Sequence, residues 1–272
     1  MTVLNGASPP VAPPSRLAPL GGALAVLEHR LAAYRRVWRG SVFSTFVLPV
    51  LFLLGMGISV GTFVNRGGML GVPYLDFIAP GLLASAALQV AISESTWPIL
   101  GAFSWVRIYH AMRASPLEPR DLVGGESLWI SLRAGSSAVG FLVVMALFGT
   151  VHSPWGVTVV PVAILLAIAV STPMLAFSAT ITTDNWFAIV YRFAVIPMTL
   201  FAGVFFPVDQ MPFAARLIAY VSPLWHGVEL CRSATLGVAP AVPVVVHLGY
   251  LVAWAVIGYW LACWRYQKKL TD

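Results

Sequence analysis

The chain has 272 residues, of which 59% are apolar and only 10% are charged. A soluble domain carries roughly 25% charged residues, and a fold of this size cannot hide so much apolar surface from water. A soluble globular enzyme is therefore excluded, and lipid is part of the solvent. The net charge of +6 would suit nucleic acid, but the arginines stand between apolar runs, where they set membrane topology instead.

Residues 1–22 contain Pro9, Pro10, Pro13, Pro14 and Pro19 and lack a basic start followed by an apolar core. This stretch is not a secretory signal; residues 1–19 read as a disordered cytoplasmic tail. Residues 20–39 follow as an amphipathic helix: Leu20, Leu24, Leu27, Leu31, Tyr34 and Trp38 recur at steps of four and three, which places them on one helical face. Glu28, His29, Arg30, Arg35, Arg36 and Arg39 occupy the other faces. Such a helix lies in the cytoplasmic interface.

A spanning helix needs about 20 apolar residues. Six candidates fall within a transmembrane domain over 40–265, at 41–63, 74–100, 122–148, 157–181, 187–206 and 242–264, with a short tail at 266–272. The fold class is all-α integral membrane. One side of the spans holds Arg16, Arg30, Arg35, Arg36, Arg39, Arg107, Arg113, Arg120, Arg265, Lys268 and Lys269; the other holds Arg66, Arg216 and Arg232. The basic side is cytoplasmic, so both termini are cytoplasmic. Cys231 and Cys263 fall on opposite sides, which argues against a disulfide, and two isolated cysteines make no zinc site.

The segment 207–237, between the last two spans, is too short to cross the membrane. Pro207, Pro212 and Pro223 break it, and Phe213, Leu217 and Ile218 return it toward the outer leaflet. It reads as two short re-entrant helices. In the second span, Ser85, Gln89 and Ser93 form a ladder toward Glu94; the stripe lines a pathway or glues two helices. Arg133 and Arg192 pair with Glu94 or Glu126, or snorkel. Gly57 and Gly61 allow close packing in the first span. His29, His110, His152, His226 and His247 are scattered, with no pair at ligand spacing. Cys231 and His226 are assigned to local hydrogen bonding, and Glu229 and Arg232, three apart, to a local salt bridge.

The stretch Phe201-Ala-Gly203-Val-Phe-Phe-Pro207-Val-Asp209-Gln-Met-Pro212, followed by Pro223-Leu-Trp-His226 and Glu229-Leu-Cys-Arg232, resembles the signature of the ABC-2 family of export permeases. Asp76-Phe-Ile-Ala-Pro80-Gly81, then Tyr109-His-Ala-Met-Arg113-Ala-Ser-Pro116 and Gly125-Glu126, is similar to its nodulation-factor and daunorubicin-resistance branch. The likeness covers nearly the whole chain after residue 20. It implies six spans, an interface helix, re-entrant helices, a second permease subunit (homo- or heterodimer) and separate ATP-binding subunits.

A P-loop needs a lysine after its glycines. The only lysines here are Lys268 and Lys269, near the C-terminal end, so no cofactor is expected in this chain and ATP with Mg belongs to the partner subunit. The loop 101–121 is the expected coupling element. Trp105, Ile108 and Met112 give it an apolar face, Arg107, His110 and Arg113 supply polar handles, and Pro116 stops the helix. Gly203, Pro207, Asp209, Pro212, Pro223, Glu229 and Arg232 are expected to form an external gate without chemistry of its own.

The leading functional expectation is the permease subunit of an exporter of amphipathic cargo, such as a lipid, glycolipid or drug, across the inner membrane. Polysaccharide or lipid-linked glycan export is the alternative. A membrane-embedded lipid-modifying enzyme would need clustered acids or histidines, and Asp76, Asp209 and Glu229 already sit in the family motifs. Partners are an ABC ATP-binding subunit, a second permease subunit and membrane lipids, with no nucleic acid. A reporter fused after Asp272 is expected to read cytoplasmic, and one inserted near Gly67 external; an external C-terminus would overturn the six-span reading.

Overall fold

The computed structural model describes residues 19–36, 38–61, 71–112 and 116–271. The expected tail, the loop holding Arg66 and the candidate Arg113 lie outside them. The described residues contain helices and turns and no strand. Helix α1 is Pro19–Tyr34 and α2 is Trp38–Leu54, which continues through a π turn at Gly55–Val60. Helix α3 is Tyr74–Ser95; α4, Trp97–Leu100, runs on through a π turn at Gly101–Trp105; α5 is Ile108–Met112. Helix α6 is Pro119–Leu147, and a 3-10 turn at Pro154–Thr158 leads into α7, Val159–Thr180. Helices α8, Asn185–Val190, and α9, Ile196–Phe201, are joined by a π turn at Tyr191–Val195. The chain then forms a 3-10 turn at Val208–Gln210, α10 over Phe213–Val221, α11 over Pro223–Leu236 and α12 over Val244–Thr271.

Among the described residues, four stretches are long and apolar enough to cross a membrane: Tyr74–Trp105, Pro119–Leu147, Pro154–Thr180 and Val244–Thr271. Asn185–Phe201 is apolar but shorter, at 17 residues, and ends five residues before the expected 206. The second expected span was to stop at residue 100, yet helical turns continue to Trp105.

The ends of the helices have local causes. Pro119 stands at the first helical position of α6, where a missing N–H is harmless. The Glu118 and Asp121 side chains there cap each other's backbone N–H groups. Pro223 opens α11, and Gly237, at φ 71°, closes it in the left-handed conformation. The break between α3 and α4 falls at Thr96. The Ser95 carbonyl, freed at the break, accepts from Ser178 Oγ at 2.6 Å. In lipid such breaks persist only where neighbouring side chains satisfy the freed groups.

Helix α7 is the centre of the bundle and packs against α12, α3, α6 and α11. Its buried face is mostly small: Ala163, Ala167, Ala169, Ser171, Thr172, Ala176 and Ala179 are all buried. Small residues let helix backbones approach closely when lipid supplies no hydrophobic drive between them. The tightest crossing is with α12, where Thr172 Oγ1 donates to the Ala255 carbonyl at 3.3 Å. A Cβ on Gly258 would lie 2.5 Å from Pro173 Cδ and 2.7 Å from its backbone nitrogen. We expect Gly258→Val to destabilise the bundle by about 1–3 kcal/mol through overpacking. Gly249→Ala, where nothing lies within 4 Å, is expected to leave the midpoint of thermal unfolding in detergent unchanged.

Candidate functional site

Two polar clusters sit at opposite ends of the bundle. The basic end gathers α1, α5, the start of α6 and the end of α12. The chain leaves the π turn at Trp105 and passes through Arg107, whose φ of 54° is left-handed and strained for a non-glycine residue. Helix α5 follows and is anchored by Tyr109, whose ring lies 4.8 Å from Phe103 and 5.8 Å from Tyr266. The Tyr109 hydroxyl donates to Glu126 Oε1 at 2.6 Å. Burial, and then the Glu126 charge, push the phenol well above its ordinary value, so it stays a proton donor. Arg30 of α1 places Nε 2.9 Å from both Glu126 oxygens and Nη2 2.8 Å from Oε2. The Glu126 side chain is 1% exposed.

A second carboxylate is tied nearby. Glu94 of α3 accepts from Trp129 Nε1 at 2.9 Å and from Arg133 Nε at 3.2 Å. Arg133 Nη1 donates to the Tyr34 hydroxyl of α1 at 3.0 Å. Glu126, Trp129 and Arg133 are spaced i, i+3, i+7 and share one face of α6. That face receives Arg30 and Tyr34 of α1. Lower on the same contact, a Cβ on Gly125 would lie 2.6 Å from Val26 Cγ1, so glycine is what admits α1. The α1 residues buried against protein are Gly22, Ala23 and Val26, with Leu27, Arg30, Leu31 and Tyr34 partly buried beside them, while Leu24 is exposed. The leucine face read from the sequence is therefore divided: Leu27 and Leu31 are only partly buried.

The expected coupling residues separate into two groups. Trp105, Arg107 and His110 are exposed, together with Val106. Ile108 and Met112 are half-buried and help line a cavity of about 410 Å³ that also touches Val26, His29, Trp97 and Trp105. Pro116 is half-buried in the turn before α6. The expected pathway stripe also divides. Ser85 Oγ bonds back to the Gly81 carbonyl at 2.9 Å, Gln89 and Ser93 face out of the subunit, and Glu94 turns to α6. Of the two arginines weighed as its partner, Arg133 pairs with Glu94 and Arg192 stays exposed.

The far end brings Gly203, Pro207, Asp209 and Glu229 of the expected gate residues together around Arg232. Its Nη1 lies 2.6 Å from Glu229 Oε1, and its Nη2 donates to the Gly203 carbonyl at 2.7 Å. Its guanidinium stands 3.9 Å from the centre of the Phe77 ring of α3. Gly203 has φ 75°, a conformation open to glycine at no steric cost. One residue on, the Val204 backbone approaches Gly81 so closely that a Cβ there would lie 3.1 Å from it. The two stretches that carried the family resemblance thus meet in space. Two cavities, of about 430 and 500 Å³, share Phe77, Pro207, Asp209, Glu229, Arg232 and Ala241 in their walls. Pro212 precedes α10 and Pro223 opens α11, so both set boundaries.

Three contacts were not read from the sequence. Asp76 Oδ2 lies 2.8 Å from His152 Nε2, and the His152 backbone N–H donates to the Thr235 carbonyl at 2.9 Å. His226 and His247 bring their Nδ1 atoms to 2.9 Å. His226 also faces the Tyr220 carbonyl with Nε2 at 3.1 Å; a separation of 21 residues across two helices leaves no local signal. The third is Arg30–Glu126, whose signal was a carboxylate in an apolar run, which demands a partner.

Arg232→Ala removes two bonds from a charged donor, each worth about 1.5–3 kcal/mol, and is expected to expose 203–237 to limited proteolysis. Arg232→Lys keeps the charge without the two-way fork and is expected to restore only part of the protection.

A family profile for ABC-2 type transporters matches residues 24–236. Nodulation protein J of Rhizobium leguminosarum bv. viciae is 29% identical over 254 residues, covering 93% of this chain and 97% of that protein. Nodulation protein J of Rhizobium meliloti (strain 1021) is 26% identical over 247 residues, covering 91% and 93%. The inner membrane transport permease YadH of Escherichia coli (strain K12) is 23% identical over 243 residues, covering 87% and 90%. With the profile spanning most of the bundle and both signature stretches packed on each other, the chain belongs to the ABC-2 type transporter family.

Proposed function

We propose that this chain is the membrane-spanning permease subunit of an ATP-driven exporter of amphipathic cargo, with the basic end in the cytoplasm. The observation that carries the reading is the construction of α5. It is a five-residue helix between two apolar stretches, Tyr74–Trp105 and Pro119–Leu147. With the turn before it, it presents exposed Val106, Arg107 and His110 beside the exposed Trp105 ring while its Tyr109 is locked inside. An element exposed on one side and anchored on the other is suited to receive a push from a partner and pass it to two spans. The partner is a separate ATP-binding subunit. Six spans, the two beyond the four long stretches being α2 with its π turn and Asn185–Phe201, put both termini on the cytoplasmic side.

The outward-facing Gln89 and Ser93 support a second permease subunit. A polar stripe facing lipid is unfavourable, so these residues face a partner copy or a wet pathway between copies. The far-end segment 207–237 covers the exit of that pathway. The exposed apolar side of α10, with Phe213, Leu217, Ile218 and Val221, rests in the outer leaflet as a re-entrant helix. The likeness to the nodulation-factor and daunorubicin-resistance branch supports an amphipathic cargo.

Affinity purification of the chain from its native membrane is expected to bring down an ATP-binding subunit. Val106→Asp is expected to weaken that association, since desolvating a carboxylate against an apolar partner costs several kcal/mol. Ile108→Asp and Met112→Asp, which disturb the cavity behind α5, are expected to leave ATP hydrolysis running and to abolish cargo export in proteoliposomes. Purification without any ATP-binding subunit, or full export by all three variants, would overturn the reading.

A further inference from the structure

We propose that Glu126 is the positioning residue that joins α5 to α1, so that displacement of α5 reaches the interface helix and, through it, α2. The inference deepens the exporter reading and rests on it for its biological meaning; the mechanical joint itself is testable on the permease alone.

Three elements meet on this one carboxylate. Helix α6 supplies it, Arg30 of α1 covers both of its oxygens, and Tyr109 of α5 donates to Oε1. All three groups lie in the interior: the Glu126 side chain is 1% exposed, the Arg30 side chain 19%, and Tyr109 2%. An ion pair so placed is held by its partners, because removing one leaves a charge buried without compensation. The carboxylate therefore cannot release either partner cheaply, and α1, α5 and the first turns of α6 respond as one body.

The rest of α5 makes the hydroxyl bond the specific link. The helix has only five residues and follows the left-handed turn at Arg107. The Tyr109 ring is held by Phe103 and Tyr266, aromatic contacts that phenylalanine would keep, while the hydroxyl reaches Glu126. Ring and hydroxyl thus have separable tasks: the ring seats α5, and the hydroxyl ties it to the Arg30–Glu126 pair. On the other side of the joint, α1 ends at Tyr34 and α2 begins at Trp38, so a shift of α1 is delivered to α2 across a three-residue connection. The Glu94–Arg133–Tyr34 chain gives α1 a second attachment to α6. It contains no residue of α5, so it cannot carry the signal from that helix.

The test is hydrogen exchange of the permease in lipid nanodiscs, comparing the native chain with Tyr109→Phe and Glu126→Gln. Tyr109→Phe keeps the ring and removes the link. It is expected to speed exchange about tenfold in α1, the scale of one hydrogen bond to a charged group, although Tyr109 bonds no residue of α1. Glu126→Gln, which also strips Arg30 of its counter-charge, is expected to loosen α1 further. A change confined to residues 105–112 in Tyr109→Phe would overturn the joint. So would unchanged α1 exchange in both variants. If a variant does not fold, the exchange of charges in Arg30→Glu with Glu126→Arg, which keeps the pair but reverses it, is expected to protect α1 better than Arg30→Glu alone. Equal exchange in those two proteins would count against the joint.

A second arm adds the ATP-binding subunit and traps it with nucleotide. In the native chain this is expected to alter α1 exchange; in Tyr109→Phe the response is lost while ATP turnover persists. No nucleotide response in the native chain would count against the exporter reading, while the joint stands or falls on the first arm.

Discussion

A polar group taken into this bundle has to find its partner inside the bundle, because hydrocarbon offers none. That constraint shapes both ends of the molecule. Glu126 and Glu94 are carboxylates on apolar helices, and each is met by an arginine and a neutral donor, Tyr109 or Trp129. At the far end, Arg232 meets the Glu229 carboxylate, the Gly203 carbonyl and the Phe77 ring. The same rule governs the backbone: where α3 stops at Thr96, Ser178 of α7 takes the carbonyl that the break exposes. Apart from Glu229, which shares α11 with Arg232, these partners come from a different segment than the group they meet, so satisfying the polar groups also fixes which elements are neighbours.

The long helices and their breakers were legible in the sequence because their causes are local. Apolar length marks Pro119–Leu147, Pro154–Thr180 and Val244–Thr271. Pro223 and Gly237 bound α11 through their own backbone geometry. Glu229 and Arg232 lie three apart on a helix, and they do pair. What the sequence could not carry was partner choice between distant segments. Arg30 reaches Glu126 across 96 positions and Arg133 reaches Glu94 across 39; periodicity says that such charges face inward, not which one they meet. The α1 helix shows the same limit. Leu27, Leu31 and Tyr34 of its expected apolar face pack on the core, yet the most buried residues are Gly22, Ala23 and Val26 beside them, where Gly124 and Gly125 on α6 leave room for a close approach. Close fit outweighs hydrophobicity where lipid accepts leucine as readily as protein does.

Shape, too, was only partly written in local pattern. The coupling segment was read as a loop with a helix inside it. That helix is present as α5, but a π turn extends the preceding stretch to Trp105, and Arg107 in the left-handed conformation separates the two. A π turn inserts one extra residue into the helical ladder, and such turns often mark functional positions. Here the extension ends beside the cavity that α5, α1 and α4 share, so the irregular turns sit where the end of the bundle has to accommodate a second layer of structure.

The two ends are connected through α3. Phe77 and Gly81, near its start, carry Arg232 and Val204 of the far-end segment. Glu94, near its finish, is tied through Arg133 to the face of α6 that holds Glu126. Between them the helix is continuous from Tyr74 to Ser95 despite Pro80, and its buried side, including Ile78, Ala84, Leu88 and Ala91, packs into the same core as α7. A continuous helix seated in a dense core moves as a body rather than bending along its length. Both polar clusters therefore hold opposite ends of one rod, and a displacement of the α6 face at the basic end shifts the surface on which the far-end segment rests. The outward-facing residues of that rod, Gln89 and Ser93, lie between the two attachments, so they would be carried along by the same motion that moves the far-end segment.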